Sequence, residues 1–154
     1  MRHQKGFSLI ELLIVVAIIL IIAAIAIPNL VKSKMAANEA SAVGSIRTLL
    51  TTEITFSTVN PTVGFTSLDA LKTSGLIDSA LGTGTKSGYT FTATPIGGGN
   101  GAANTALLVA AAPVTVGTTG QRSFCGIEDA VIHYDPTGAP ITVHDTCAAD
   151  PVLN

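Results

Sequence analysis

The chain has 154 residues, a formal net charge of −2, and 47% apolar residues against 12% charged ones. That length suits one domain of ordinary size, the near-neutral charge without a basic stretch argues against a reader of duplex DNA, and the apolar content is too high for intrinsic disorder. Aromatic residues make up only 5% and tryptophan is absent, which leaves little for base stacking or an aromatic-lined ligand pocket. Two cysteines, Cys125 and Cys147, form one potential disulfide, which persists only in an oxidising compartment.

Residues 1–6, Met1-Arg2-His3-Gln4-Lys5-Gly6, are short and basic through Arg2 and Lys5. Basic residues flanking an apolar helix stay cytoplasmic, so Met1 is expected inside and the body of the chain outside. Residues 12–27 are uninterrupted apolar. Extended to Val31, the segment reaches the ~20 residues that span a bilayer. A cleavable secretory signal competes, because Ala24-Ile25-Ala26 loosely fits a small-x-small cleavage site. Glu11 weighs against it: a carboxylate inside such a run costs on the order of a few kcal/mol at bilayer depth and marks function. The plainer alternative is a side chain that snorkels to the interface and complements the positive helix end.

After the basic leader, Gly6-Phe7-Ser8-Leu9-Ile10-Glu11-Leu12-Leu13-Ile14-Val15 resembles the N-terminal motif of type IV prepilins and pseudopilins. The motif is a small residue, an aromatic, Ser or Thr, an apolar pair, Glu, then an apolar run. The resemblance implies cleavage by a membrane prepilin peptidase between Gly6 and Phe7, followed by methylation of the new Phe7 amine. It also implies that Glu11 pairs with the Phe7 amine of a neighbouring subunit. Neither charge is stable alone in a low dielectric, and pairing offsets much of the desolvation cost. In this reading Glu11 sets subunit registry and is not a catalyst.

Pro28 removes one helix hydrogen bond and crowds the preceding turn, so a kink is expected there in preference to a stop, because helical pattern resumes beyond it. Proline at this place also recurs in type IV pilins. From Lys32 to about Thr58 the pattern becomes amphipathic: Val43, Ile46, Leu50 and Ile54 form a stripe widened by Leu49 and Phe56. Lys32, Lys34, Glu39, Arg47 and Glu53 are expected as solvated charges, and Asn60-Pro61 as the end. A helix from Phe7 to Thr58 would run about 75 Å.

A connector, 61–87, is expected to hold one short helix, Ser67–Thr73, capped by Ser67 and terminated by Gly75. Strands are expected at Tyr89–Ala93, at Ala106–Val116 with an interruption at Pro113, at Arg122–Ile127 and at Ala130–Tyr134. Every threonine lies at or after Thr48, in keeping with a β-rich second half. Gly97–Gly101 and Asp135–Gly138 read as turns. The expected fold class is α+β: a long N-terminal helix, apolar then amphipathic, packed against a C-terminal antiparallel sheet. Its divisions are 1–6 (leader), 7–31 (transmembrane and filament-core helix), 32–60 (amphipathic half) and 61–154 (β-rich head).

Chemistry finds little purchase. Cys125, His133, His144 and Cys147 lack the short-knuckle spacing of zinc sites, and a disulfide between Cys125 and Cys147, which the pilin resemblance also implies, would claim both sulfurs. Asp129, Asp135, Asp145 and Asp150 have no calcium-loop spacing and read as turn carboxylates. No nucleophile elbow, HExxH or phosphate-binding loop is present, and no c-type haem motif. Phe7 and Phe56 are too few aromatics on the helix for a conducting filament. No enzyme, metal or cofactor is expected.

The expected function is a structural subunit of a type IV pilus, inserted in the inner membrane as a precursor with its head in the periplasm and then carried into an extracellular filament. A pseudopilin of a type II secretion system is the alternative, and a soluble periplasmic binding module released after Ala26 the more distant one. The expected partners are identical or related pilin subunits, the inner membrane, the prepilin peptidase and the pilus assembly machinery, with no nucleic-acid contact.

Overall fold

The computed structural model describes residues 7–153. Its first element, α1 (Leu9–Val59), is an α-helix of 51 residues that continues through Pro28. Proline has no N–H to offer the Ala24 carbonyl, yet flanking apolar helix formers carry the helix on. The chain divides into two compact units, the first ending at Lys34 and the second starting at Met35.

Within the first unit, α1 presents apolar side chains on every side: Leu9, Ile10, Leu13, Leu20, Ile25 and Leu30 are 62–75% exposed. A helix apolar all round belongs in a membrane or in a larger packed assembly.

Within the second unit, α1 buries Ala42, Ser45, Ile46, Leu49, Leu50 and Glu53. Spacings of three and four place them on one helical face. That face corrects the expected stripe at its far end, because Ile54 is 40% exposed whereas Glu53 is wholly buried. The 3.6-residue period carries the face from Ile46 through Leu49 to Glu53 and leaves Ile54 outside. On the exposed side, Thr48, Thr51, Thr52, Thr55 and Thr58 each donate their hydroxyl to the carbonyl four residues back, at 2.7–3.1 Å. Such back-bonding satisfies hydroxyls that would otherwise compete with the helix. The helix ends where the Asn60 N–H and side-chain amide both donate to the Phe56 carbonyl, just before Pro61.

The connector holds two short helices. In α2 (Leu68–Thr73), Ser67 Oγ accepts the Ala70 N–H, and in α3 (Ser79–Gly82), Asp78 Oδ1 accepts the Leu81 N–H at 2.6 Å. Both are side-chain caps on orphaned N-terminal amides. Gly75 follows α2 with a φ of +69°, a conformation that suits glycine.

Five strands follow: β1 (Thr85–Lys86), β2 (Tyr89–Gly97), β3 (Asn104–Pro113), β4 (Ser123–Ile127) and β5 (Ile132–Asp135). They form one sheet in the order β1-β2-β3-β4-β5, with every pair antiparallel. β3 stops at Pro113 and does not reach Val116 as expected, because proline cannot donate to the ladder. The period of two sorts the side chains. Tyr89, Phe91, Leu107, Val109, Ala111, Phe124 and Ile132 pack with the buried face of α1. Leu108, Ala110, Cys125 and Ile127 point to the other face, where Ile141 and Cys147 cover them. Cys147 lies on the final helix, α4 (His144–Ala149).

Candidate assembly site

The residues singled out for assembly lie at the start of α1. Phe7 is exposed, and its partner in the expected scissile bond, Gly6, lies outside the described residues, as does the leader as a whole. Ser8 directly precedes the helix, and its backbone N–H donates to Glu11 Oε2 at 3.0 Å. Glu11 therefore caps its own helix, which is one half of a capping box. The Ser8-x-x-Glu11 spacing carries that signal; the pairing of Glu11 between chains is what the prepilin resemblance implies. Beyond Glu11 the apolar surface continues to Val31, and the large apolar side chains along it are exposed. Contiguous exposed apolar surface on that scale marks contact with lipid or with other protein.

In the second unit, two carboxylates fasten the amphipathic half of α1, Glu39 to the segment that leads into β4 and Glu53 to the connector. Glu39 receives Arg122 Nη2 at 2.8 Å and Nε at 3.0 Å, while its other oxygen accepts the Gln121 and Arg122 backbone N–H groups at 2.9 and 3.2 Å. Burial works against ionisation here, but these four donors outweigh it and hold Glu39 below the usual carboxylate range. The Arg122 guanidinium lies 5.3 Å from the Phe124 ring centroid and 5.4 Å from that of Tyr134, within cation–π range of both. Glu39 is thus no solvated charge.

Glu53 departs further from the expectation. Its side chain is fully buried; Oε2 accepts the Thr66 N–H at 2.9 Å and Oε1 has no partner. Burial raises its carboxyl to about 7, against the smaller opposing effect of the Thr66 bond. No sequence signal separates this Glu from a solvated one, except its place on the helical face defined by Ile46 and Leu49.

At the C-terminal end, Cys125 and Cys147 form a disulfide with both residues fully buried. The two histidines serve separate contacts. His133 Nδ1 meets the Asp150 carbonyl at 2.6 Å, whereas His144 Nε2 lies 3.0 and 3.1 Å from the Glu128 carboxylate oxygens. Hydrogen bonds that the Glu128 and then the Asp145 carboxylate accept from His144 raise its pKa above the ordinary value. Glu128 also accepts the Leu107 N–H at 3.2 Å, just before the β3–β4 pairing starts at Leu108. Asp129 and Asp135 cap turns by accepting the Val131 and Thr137 N–H groups. Among the described residues no group of three His, Cys, Asp or Glu side chains is placed to hold a metal ion. A groove of about 310 Å³ on the sheet, lined by Thr90, Thr92, Ala112 and Pro140 among others, contains no ionisable side chain.

The family model described as a prokaryotic N-terminal methylation motif matches residues 1–27. The chain is 62% identical over 39 residues to the type IV wide pilus major component PilA4 of Thermus thermophilus, covering 25% of this chain and 30% of that protein. It is 48% identical over 54 residues to the type IV major pilin protein PilA of Myxococcus xanthus, covering 35% and 24%. Less than a third of either pilin's length is therefore spanned. The competence protein ComGC of Halalkalibacterium halodurans is 33% identical over 77 residues, covering 50% of this chain and 74% of that one. No solved structure matches the chain significantly.

Proposed function

We propose that this chain, a member of the type IV pilin and pseudopilin family, is a structural subunit of a type IV pilus. Its precursor is held in the inner membrane by the first half of α1, cleaved between Gly6 and Phe7, methylated on Phe7, and polymerised through the same helix. The supporting observation is the exposed apolar surface from Leu9 to Val31, which carries a single carboxylate, Glu11. Polymerisation replaces lipid around that surface with neighbouring helices. Cleavage supplies a cationic amine at Phe7, and Glu11 exchanges its local bond to the Ser8 N–H for that amine on a neighbouring chain. A carboxylate left in the bundle without its counter-charge costs roughly 3 to 5 kcal/mol in comparable buried pairs, so one axial offset is strongly preferred. Pro28 leaves one carbonyl free of the helix ladder and gives the stem a point of compliance for packing.

The proposal is tested with Glu11→Ala as the sole copy of the chain. The precursor is expected to insert and be cleaved, while surface filaments fall by at least an order of magnitude. Wild-type amounts of filament from that variant would contradict the registry role. The likeness to a competence protein supports a second role for the same filament, in competence. Transformation frequency measured in the same variant checks it: filaments and transformation are expected to fall together.

A further inference from the structure

Six asparagines occur in the chain, and only Asn100 precedes a glycine. It occupies the middle of the 3-10 turn Gly99–Gly101 at the tip of the β2–β3 hairpin, with φ 58° and ψ 33°. Asn100 and Gly101 are both exposed, and a Cβ placed at Gly99 or at Gly101 would meet no heavy atom within 4 Å. Among the described residues nothing hydrogen-bonds the Asn100 side-chain amide, whereas Asn38, Asn60 and Asn104 donate theirs to the Thr119, Phe56 and Phe65 carbonyls at 2.8–3.0 Å. None of those three is followed by a glycine. Asn38 lies inside α1, Pro61 has no N–H, and Asn104 is paired with Gly97 in the β2–β3 ladder.

We propose that Asn100 is a site of spontaneous deamidation, driven by the geometry of the Gly99–Gly101 turn. Rotation of Asn100 out of its left-handed conformation brings the Gly101 nitrogen against its side-chain Cγ, and flanking glycines make that rotation inexpensive. Hydroxide takes the Gly101 amide proton and the nitrogen attacks Cγ. The Cγ–Nδ2 bond breaks, and ammonia leaves with a proton from water, closing a five-membered succinimide. Water then opens either imide carbonyl to give aspartate or isoaspartate. The balance is one amide and one water converted to one carboxylate and ammonium, with no oxidant or other co-reactant. Each event makes the head one unit more negative at the hairpin tip. The isoaspartate form also inserts a methylene into the main chain, within the turn and outside the β2–β3 ladder, which ends at the Gly97–Asn104 pair.

The test is peptide mapping of the full folded chain after incubation in heavy-oxygen water across neutral to mildly alkaline pH. Heavy oxygen is expected in aspartate and isoaspartate at Asn100, at a rate rising in proportion to hydroxide, with Asn38 and Asn104 unlabelled over the same interval. Gly101→Ala should slow labelling roughly tenfold or more. Because Gly101 has φ +82°, that variant carries backbone strain. Asn100→Gln keeps Gly101 and a side-chain amide at the tip, and is expected to lose the label over the same interval, since its longer side chain would have to close a six-membered ring. An unlabelled Asn100 in folded protein, or equal labelling at Asn38 and Asn104, overturns the assignment.

Discussion

Glu39 on the long helix and Arg122 at the entrance to β4 form a two-pronged ion pair, Nη2 and Nε each within 3.0 Å of one carboxylate oxygen, across 83 positions of sequence. The Arg122 side chain is 38% exposed and that of Glu39 only 12%, so the pair is partly shielded from solvent. It joins the stem of the head to the sheet above the core formed by Ile46, Tyr89 and Phe124.

Glu39→Gln is expected to cost about 2 kcal/mol of head stability, because Gln121 and Arg122 lose a charged acceptor and the guanidinium keeps only its aromatic neighbours. Urea unfolding of the full chain in detergent measures it. The Glu39 carboxyl is held below its ordinary value in the folded state, so its contribution is present above the unfolded pKa and is lost as pH falls through the folded one. The Glu39→Gln variant should therefore show a shallower loss of stability in acid. An unchanged midpoint would mean that the pair merely decorates the surface.

Glu53 has the opposite sign. Its folded pKa is raised from 4.5 to about 7, so between those values the native state binds a proton that the unfolded state has released. Stability consequently falls as pH rises through that window and levels off above it. Glu53→Gln preserves an acceptor for the Thr66 N–H and removes the ionisable group. The variant is expected to gain about 2 to 3 kcal/mol over the wild type in mildly alkaline solution and little in acid. Unfolding midpoints at the two ends of the window give the comparison; parallel pH profiles for both proteins would refute the account of this residue.

Reducing the Cys125–Cys147 bond should cost roughly 3 kcal/mol by loop entropy. Because both cysteines are fully buried, a thiol reductant without denaturant is expected to leave the bond intact, and to cleave it only on the timescale of unfolding. Thiol alkylation followed by mass analysis reads this directly. Rapid reduction of the native protein would show that α4 opens independently of the sheet.

The architecture is legible in the sequence where the pattern is long. The apolar run after Glu11, the stripe from Val43 to Leu50 and the alternation of Tyr89–Ala93 each reappear as α1 and β2. Short elements are not legible in the same way. α3 rests on one capping bond from Asp78, β1 on two residue pairs with β2, and α4 on the disulfide and the His144–Glu128 contact. Ser67 declares α2 because its cap is local; Glu39 does not declare Arg122, because the two meet only after the sheet has formed. Glu53 misleads for a related reason: a carboxylate reads as solvated until the helical face is placed to within one residue. At the assembly end, both the motif around Glu11 and the Ser8-x-x-Glu11 capping spacing are explicit in the sequence.

The most direct measurement is the intact mass and N-terminal residue of the chain recovered from filaments sheared off cells. A mature chain that begins at methylated Phe7 is the predicted result. A chain that retains Met1, or one that begins after Ala26 and is recovered only as soluble periplasmic protein, would contradict assembly through a processed N-terminal helix.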